Sequence, residues 1–415
     1  MRLTILPAAA LTIAISTADA QSPAPCDVDN GGLALPAGFC AKLVGQELGP
    51  VRHLAIAPNG DVIAAQSGRR DGGGGGLLLL RDTDGDGMLN IVSLLSEMGG
   101  TGVVLAEDAI YFSPNDRVLR IPFRAGDDRP SGPAEIIVSE LPTGGHAAKT
   151  VALGSGEDLY VNFGSLTNSC QEQNRQANSP GHAPCTELET RAGIWRFDAR
   201  RIGQTPRDGV RHATGLRNAA AIAIEPTTGV LWGAVHGRDQ LAQNWGYAAE
   251  DSEENPAEEF GPLAAGADFG WPYCYFDPRQ GKKVLNPEYG GNGSEVGDCD
   301  TLTEPAIGFP AHWAPIATAF YTGSQFPPEY RSGAFISFHG SWNRAPSPQA
   351  GFRIVFAPFE NGVATGTYET FAAPAGAHDS IRFTGVAVGP DGSLYVGADR
   401  EGKIWRISAR KGGGS

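Results

Sequence analysis

One short pattern recurs along this chain: an apolar strand, a turn rich in Pro, Gly and Asp, then a second strand. Four copies are clear, at 53–61, 150–160, 221–232 and 385–395. Each reads as a hairpin of short buried strands. No single copy can bury a core alone, so the copies must pack on one another around a shared axis. Two fainter copies, 103–120 and 316–338, bring the number to six. The expected fold is all-β, a six-bladed β-propeller with four-stranded antiparallel blades. Its inner loops converge on the axis, so a functional site is expected there.

The flanks read differently. Arg2, an apolar run from Leu3 to Ile15 and the Ala18-Asp19-Ala20 end have the layout of a secretory signal peptide, cut after Ala20. Residues 21–410 then form a single propeller domain, and 411–415 resemble a linker or tag remnant. The run at 3–15 is too short for a membrane span, and no later stretch approaches that length. The expected location is periplasmic or secreted. Cysteines at 26, 40, 170, 185, 274 and 299 fit an exported protein stapled by disulfides. Six cysteines allow 15 pairings. Local pairing, Cys26–Cys40, Cys170–Cys185 and Cys274–Cys299, closes the shortest loops. Zinc is the weaker reading, since the chain has no C-x-x-C, and no C-x-x-C-H for haem.

A formal net charge of −14 argues against nucleic acid or an anionic membrane surface as partner and favours a small neutral substrate. Copies start roughly fifty residues apart at first, close to the forty-odd of a plain blade. Later gaps are longer, and the excess reads as three polar insertions, at 165–191, 240–266 and 277–300. Long insertions on a regular scaffold usually shape a site.

Chemistry can sit at several points. His146 stands just before a hairpin, where it can be a general base or an ordinary loop histidine bonded to a carbonyl. Arg217 and Asn218 occupy the same place before the next hairpin and can hold an oxygen anion, or form a surface ion pair. Arg382 precedes the last hairpin, and His339 to Arg344 follow the second strand of the fifth. Asp82, Asp84 and Asp86 have the D-x-D-x-D-G spacing of a calcium loop, but the twelfth position is Ser93 rather than Glu. They form either a weak structural calcium site or an Asp/Gly turn. No G-x-S-x-G, H-E-x-x-H, P-loop or G-x-G-x-x-G occurs.

In order, Gly145-His146, Gly215 to Asn218, Val235 to Asp239, Asp268 to Tyr273, Phe338 to Arg344 and Arg382 resemble the glucose/sorbosone dehydrogenase family. These are soluble six-bladed propellers that use pyrroloquinoline quinone, and the sorbosone-type branch looks closer. The resemblance covers roughly residues 30 to 408. It implies that His146 is the base that takes a proton from a sugar hydroxyl or aldehyde hydrate. It implies that Arg217 stabilises charge on the quinone oxygen. Lys149, Asn218, His339, Arg344 and Arg382 would face the cofactor's carboxylates, and a calcium ion would sit near the carbonyls of Gly237 and Arg238. Electrons would pass to an external acceptor. Gly145, Gly100-Thr101 and His339 depart from the glucose dehydrogenase pattern, which points away from glucose itself. Two other readings share the fold: a calcium-dependent lactonase, which needs acidic and amide ligands on the axis, and a binding propeller without cofactor.

Overall fold

The computed structural model describes residues 25–68, 74–345, 347–376 and 380–410. The signal sequence expected at 1–20 and the remnant at 411–415 lie outside these residues.

The described chain folds into six antiparallel blades in a ring. Their innermost strands, in order, are Val51–Ile56, Gly100–Leu105, Val151–Leu153, Ala221–Ile224, Pro315–Phe320 and Phe383–Val388. Blades 1 to 4 are made from 51–96, 100–138, 151–214 and 221–309. Blade 5, 315–374, carries two extra short strands, one of them Leu33–Ala34. Blade 6 joins both ends of the domain: Phe39–Gly45 pairs with Lys403–Ala409 and completes the sheet begun by Phe383–Val388.

Why these sequences make blades is visible in burial. The second strands, such as Ala109–Pro114 and Gly333–Phe338, are buried along their whole length. Both of their faces pack against neighbouring blades, so they read as continuous apolar runs rather than alternating ones. Tight turns join the strands; in the first, Gly60 donates its N–H to the Ala57 carbonyl at φ 91°. Interblade cores are aromatic. Between blades 5 and 6, Phe39 meets Phe326, Tyr330 and Phe371 edge-on, with centroids 4.8–5.1 Å apart.

All three expected disulfides form: Cys26–Cys40, Cys170–Cys185 and Cys274–Cys299. The insertion expected at 240–266 needs correction. It holds two short helices, Leu241–Trp245 and Asp251–Glu254, but Glu258–Pro262 is the third strand of blade 4. Glu258 and Glu259 are therefore interior groups, not solvated loop charges. Glu259 pairs with buried Lys283 at 2.5 Å. No helix among the described residues is long and apolar enough to cross a membrane.

All inner strands run in the same sense, so their N-terminal ends, and the C-terminal ends of the second strands, share one face of the ring. His146, Arg217, Asn218, His236, His339, Arg382 and Asp399 cluster at that face. Asp82 to Gly87, at the far end of Gly76–Arg81, lies on the opposite face.

Candidate active site

The axis of the ring is largely apolar. A cavity of about 300 Å³ there is lined mainly by aliphatic side chains from all six blades, with His53, Thr318 and Thr322 the polar exceptions. No acidic group is among its lining residues. The ligand cluster that a calcium-dependent lactonase needs is not on this axis.

At the mouth, His146 is fixed by Ser165. Its ring Nδ1 lies 3.0 Å from the Ser165 carbonyl oxygen and 3.1 Å from its Oγ, and its backbone N–H donates to the same carbonyl. Because the Ser165 hydroxyl donates to the Thr167 carbonyl, Nδ1 must carry the proton, and Nε2 holds the lone pair. Burial lowers the His146 pKa to about 3, and the charges of Arg217 and His236 push the same way. The imidazole is neutral at working pH. Gly164 makes this placement possible: a Cβ there would lie 2.6 Å from the His146 Cβ and 2.9 Å from the Asn218 Oδ1.

Arg217 is buried and almost fully committed. Its Nε donates to the Asn168 carbonyl at 3.1 Å, and Nη1 to the Gly237 carbonyl at 2.7 Å. Nη2 donates to Asn168 Oδ1 at 3.0 Å and to Asp239 Oδ2 at 2.6 Å. Of five guanidinium N–H groups, one on Nη1 remains. Asp239 also takes Arg175 at 2.7 Å, and His312 lies 3.5 Å away. Burial alone would raise the Asp239 carboxyl; Arg217, His312 and Arg175 outweigh it and hold the group well below the usual carboxylate range. Asn218 accepts from Asn162 and donates to His236 Nδ1 at 3.3 Å. His236 in turn donates from Nε2 to the Pro315 carbonyl, and burial lowers its pKa to about 4.

Across the mouth lies a second basic group. His339 has Nδ1 3.1 Å from the Gly340 carbonyl and Nε2 3.0 Å from Asp399, which also binds Arg52 at 2.7 Å. Arg382 donates to the carbonyls of His339 and Gly340 and to Gln349, all neutral acceptors, over the face of Phe352. A half-buried guanidinium with neutral partners, as Arg382 is, suits a ligand carrying carboxylates.

Two expected members stand elsewhere. Lys149 is completely enclosed, its ammonium donating to the Pro142 and Ala147 carbonyls; burial, then the Arg191 charge, lowers its pKa to about 7. Arg344 is spent on the carbonyls of Pro348, Glu253 and Ala311. Neither is aimed at the mouth. Calcium at Gly237 also fits poorly: the Arg217 guanidinium already occupies that oxygen, and a divalent cation there would stand beside a fixed positive charge. Arg238 instead sends a buried side chain to Glu288 at 2.6 Å. Asp82, Asp84 and Asp86 do bring their carboxylates within 4.8 Å of one another, exposed, with Asp82 capping the N–H groups of Gly85 and Gly87. Missed altogether were Asn168 and His312, which come from an insertion and a loop far apart in sequence; Asp239 closes the Val235 to Asp239 motif, which gave it no role.

A model of the TrAA12-like family matches residues 33–410. The chain belongs to the TrAA12-like family. It is 26% identical over 230 residues to a pyrroloquinoline quinone-dependent sugar dehydrogenase of Hypocrea jecorina, covering 49% of each chain. It is 24% identical over 270 residues to a pyrroloquinoline quinone-dependent pyranose dehydrogenase of Coprinopsis cinerea, covering 54% of this chain and 35% of that one. The chain thus spans about half the length, or less, of these curated relatives. The calcium structure of a Trichoderma reesei protein of carbohydrate-active family AA12 superposes with a TM-score of 0.73 at 19% identity, over 91% of this chain and 97% of that one. The holo pyrroloquinoline quinone domain of the Coprinopsis cinerea pyranose dehydrogenase superposes at 0.71 with 18% identity and the same coverage. At these identities the superpositions establish the six-bladed fold. Together with the family match, they bear out the resemblance to quinone-dependent sugar dehydrogenases.

Proposed function

We propose that this chain is a dehydrogenase that oxidises an aldose or related sugar aldehyde with pyrroloquinoline quinone as cofactor. The observation that carries this is the pairing of a neutral, oriented imidazole at His146 with a buried guanidinium beside it and a second guanidinium, Arg382, held only by neutral partners. Relatives described as quinone-dependent sugar dehydrogenases support the same reading. Bound at this mouth, the quinone would supply a two-electron acceptor for the substrate's hydride.

The protein's own part is proton and charge handling. His146 receives the substrate's hydroxyl proton at Nε2, and the Ser165 carbonyl holds the Nδ1 proton, so the imidazolium forms in place without reorientation. Arg217 offers its remaining Nη1 proton to developing negative charge. Asn218 keeps the His236 ring oriented through its Nδ1. Arg382 holds the cofactor's carboxylates; His339, with both ring nitrogens bonded to Gly340 and Asp399, lines the same face rather than donating to them. The strongly acidic protein favours a neutral substrate over an anionic one.

Three disulfides fit an oxidising compartment, so a periplasmic or secreted location accompanies this reading, with residues 21–410 as one domain. Electrons leave to an external acceptor. Calcium, where bound, is structural at Asp82, Asp84 and Asp86.

The test is titration of the purified protein with pyrroloquinoline quinone, followed by a panel of aldoses with a redox dye. Saturable binding with sugar-dependent bleaching supports the proposal; a folded protein that takes up no quinone overturns it. In the loaded enzyme, His146→Ala should abolish turnover with quinone affinity nearly unchanged. Undiminished turnover removes His146 as the base.

A further inference from the structure

We propose that Asn168, in the disulfide-closed insertion 165–191, is the positioning residue that fixes Arg217 for catalysis. This rests on the dehydrogenase reading above.

Asn168 is 1% exposed and every polar atom of its side chain is used. Its Oδ1 accepts from Arg217 Nη2 at 3.0 Å and from the backbone N–H of Asp239 at 2.9 Å. Its Nδ2 donates to the Asp239 carbonyl at 3.0 Å. The amide thus grips both backbone groups of Asp239, the residue whose carboxylate pairs with Arg217. The Asn168 carbonyl accepts from Arg217 Nε at 3.1 Å and from Trp271 Nε1 at 2.9 Å. One residue therefore holds two nitrogens of the guanidinium, Nε and Nη2, directly and a further contact through Asp239.

The insertion is built to hold this residue still. Two positions on, Cys170 is tied to Cys185. Asn174 accepts the Asn168 N–H, and Arg175 reaches back to the same Asp239 oxygen that binds Arg217. With four of its five N–H groups spent, Arg217 can direct the last one only if the others stay fixed. A misplacement of about 1 Å in such a group can cost about 10²-fold in rate.

Two substitutions separate positioning from mere support. Asn168→Ala removes all three side-chain bonds and should lower kcat about tenfold or more, with quinone affinity and KM changed less than about threefold. Asn168→Asp keeps the shape but sets a carboxylate oxygen against the Asp239 carbonyl and adds negative charge beside Arg217. Its kcat relative to the unaltered enzyme should be low at neutral pH and recover as pH falls, because the protonated carboxyl can again donate to Asp239. A structural defect would not be rescued by acid. Both variants within about twofold of normal kcat, or a deficit independent of pH, overturn the proposal.

A cofactor-free readout keeps the inference separable from the dehydrogenase reading. In ¹⁵N-labelled apoprotein, the Arg217 Nε–H resonance, assigned by its loss in Arg217→Lys, should exchange slowly with solvent and exchange faster in Asn168→Ala. An unchanged resonance overturns the positioning role. Failure of quinone to bind the unaltered protein would overturn the dehydrogenase reading alone.

Discussion

Two arginines stand two blades apart on one face of the ring and are held in opposite ways. Arg217 is sealed: it shares a buried ion pair with Asp239, and backbone and amide oxygens take most of its donors. Arg382 is half-buried and rests on neutral carbonyls, an amide and an aromatic face. A guanidinium neutralised and locked in a dry site is suited to act on charge that develops during reaction, since nothing has to reorganise when it does. One with neutral partners is suited to bind charge that is already present. Under the proposed function, the contrast predicts a loss of rate on one side and a loss of affinity on the other.

Breaking each side should therefore give different kinetics. Arg217→Ala should lower kcat by about two to three orders of magnitude, the usual cost of losing one such donor. Quinone affinity, measured by absorbance titration, should hardly move. Arg382→Ala should do the reverse, weakening quinone binding by about tenfold or more, the value of a hydrogen bond to a charged group. Turnover at saturating quinone should stay close to normal. If both variants lose only rate or only affinity, the contrast falls.

Acid sharpens the same comparison. Burial lowers His146 to about 3 and His236 and His312 to about 4, all on the Arg217 side, and His53 on the axis to about 4. Unfolded, each titrates near 6.5, so between about 6.5 and 4 the unfolded chain binds more protons than the folded one. Stability should be full above pH 6.5 and fall as pH drops, by up to about 1.4 kcal/mol per pH unit for each histidine. Glu258, raised to about 8 by burial, opposes this in the same window, as do Glu259 and Glu288, also raised by burial, but these three carboxyls face five lowered histidines, His212 included. Denaturant unfolding at pH 7, 6 and 5 checks the sign; a midpoint that rises toward acid would refute it.

The smallest effect belongs to the other face. Calcium should raise the melting temperature by a few degrees through Asp82, Asp84 and Asp86, about 2–4 °C per kcal/mol of binding. Asp84→Asn should remove that rise and leave the quinone titration unchanged, because the loop lies across the ring from the mouth.

The blades were legible because each hairpin states itself locally, and even the blurred copies at 103–120 and 316–338 fall on blades 2 and 5. The disulfides followed from spacing. What sequence could not display was side-chain company. Lys149 and Arg344 read as free cations three or five residues from site histidines, yet carbonyl oxygens enclose both. Glu258 and Glu259 fall inside the polar insertion read at 240–266, and only strand pairing puts them in the interior. Asn168 lies in a polar tract that looks like any loop. Its partners Arg217 and Asp239 lie 49 and 71 residues further on.

The sixth blade carries a consequence for how the protein is made. Its outer strand, Phe39–Gly45, is among the first parts of the domain to be synthesised, and its partner Lys403–Ala409 among the last. Arg410 also donates its N–H to the Gly38 carbonyl. Five blades can assemble while the chain is still emerging, but that early strand must wait unpaired until the end arrives. Until then it offers a bare sheet edge open to the wrong neighbour. Ring closure is thus the step at which a folding factor would have most to protect.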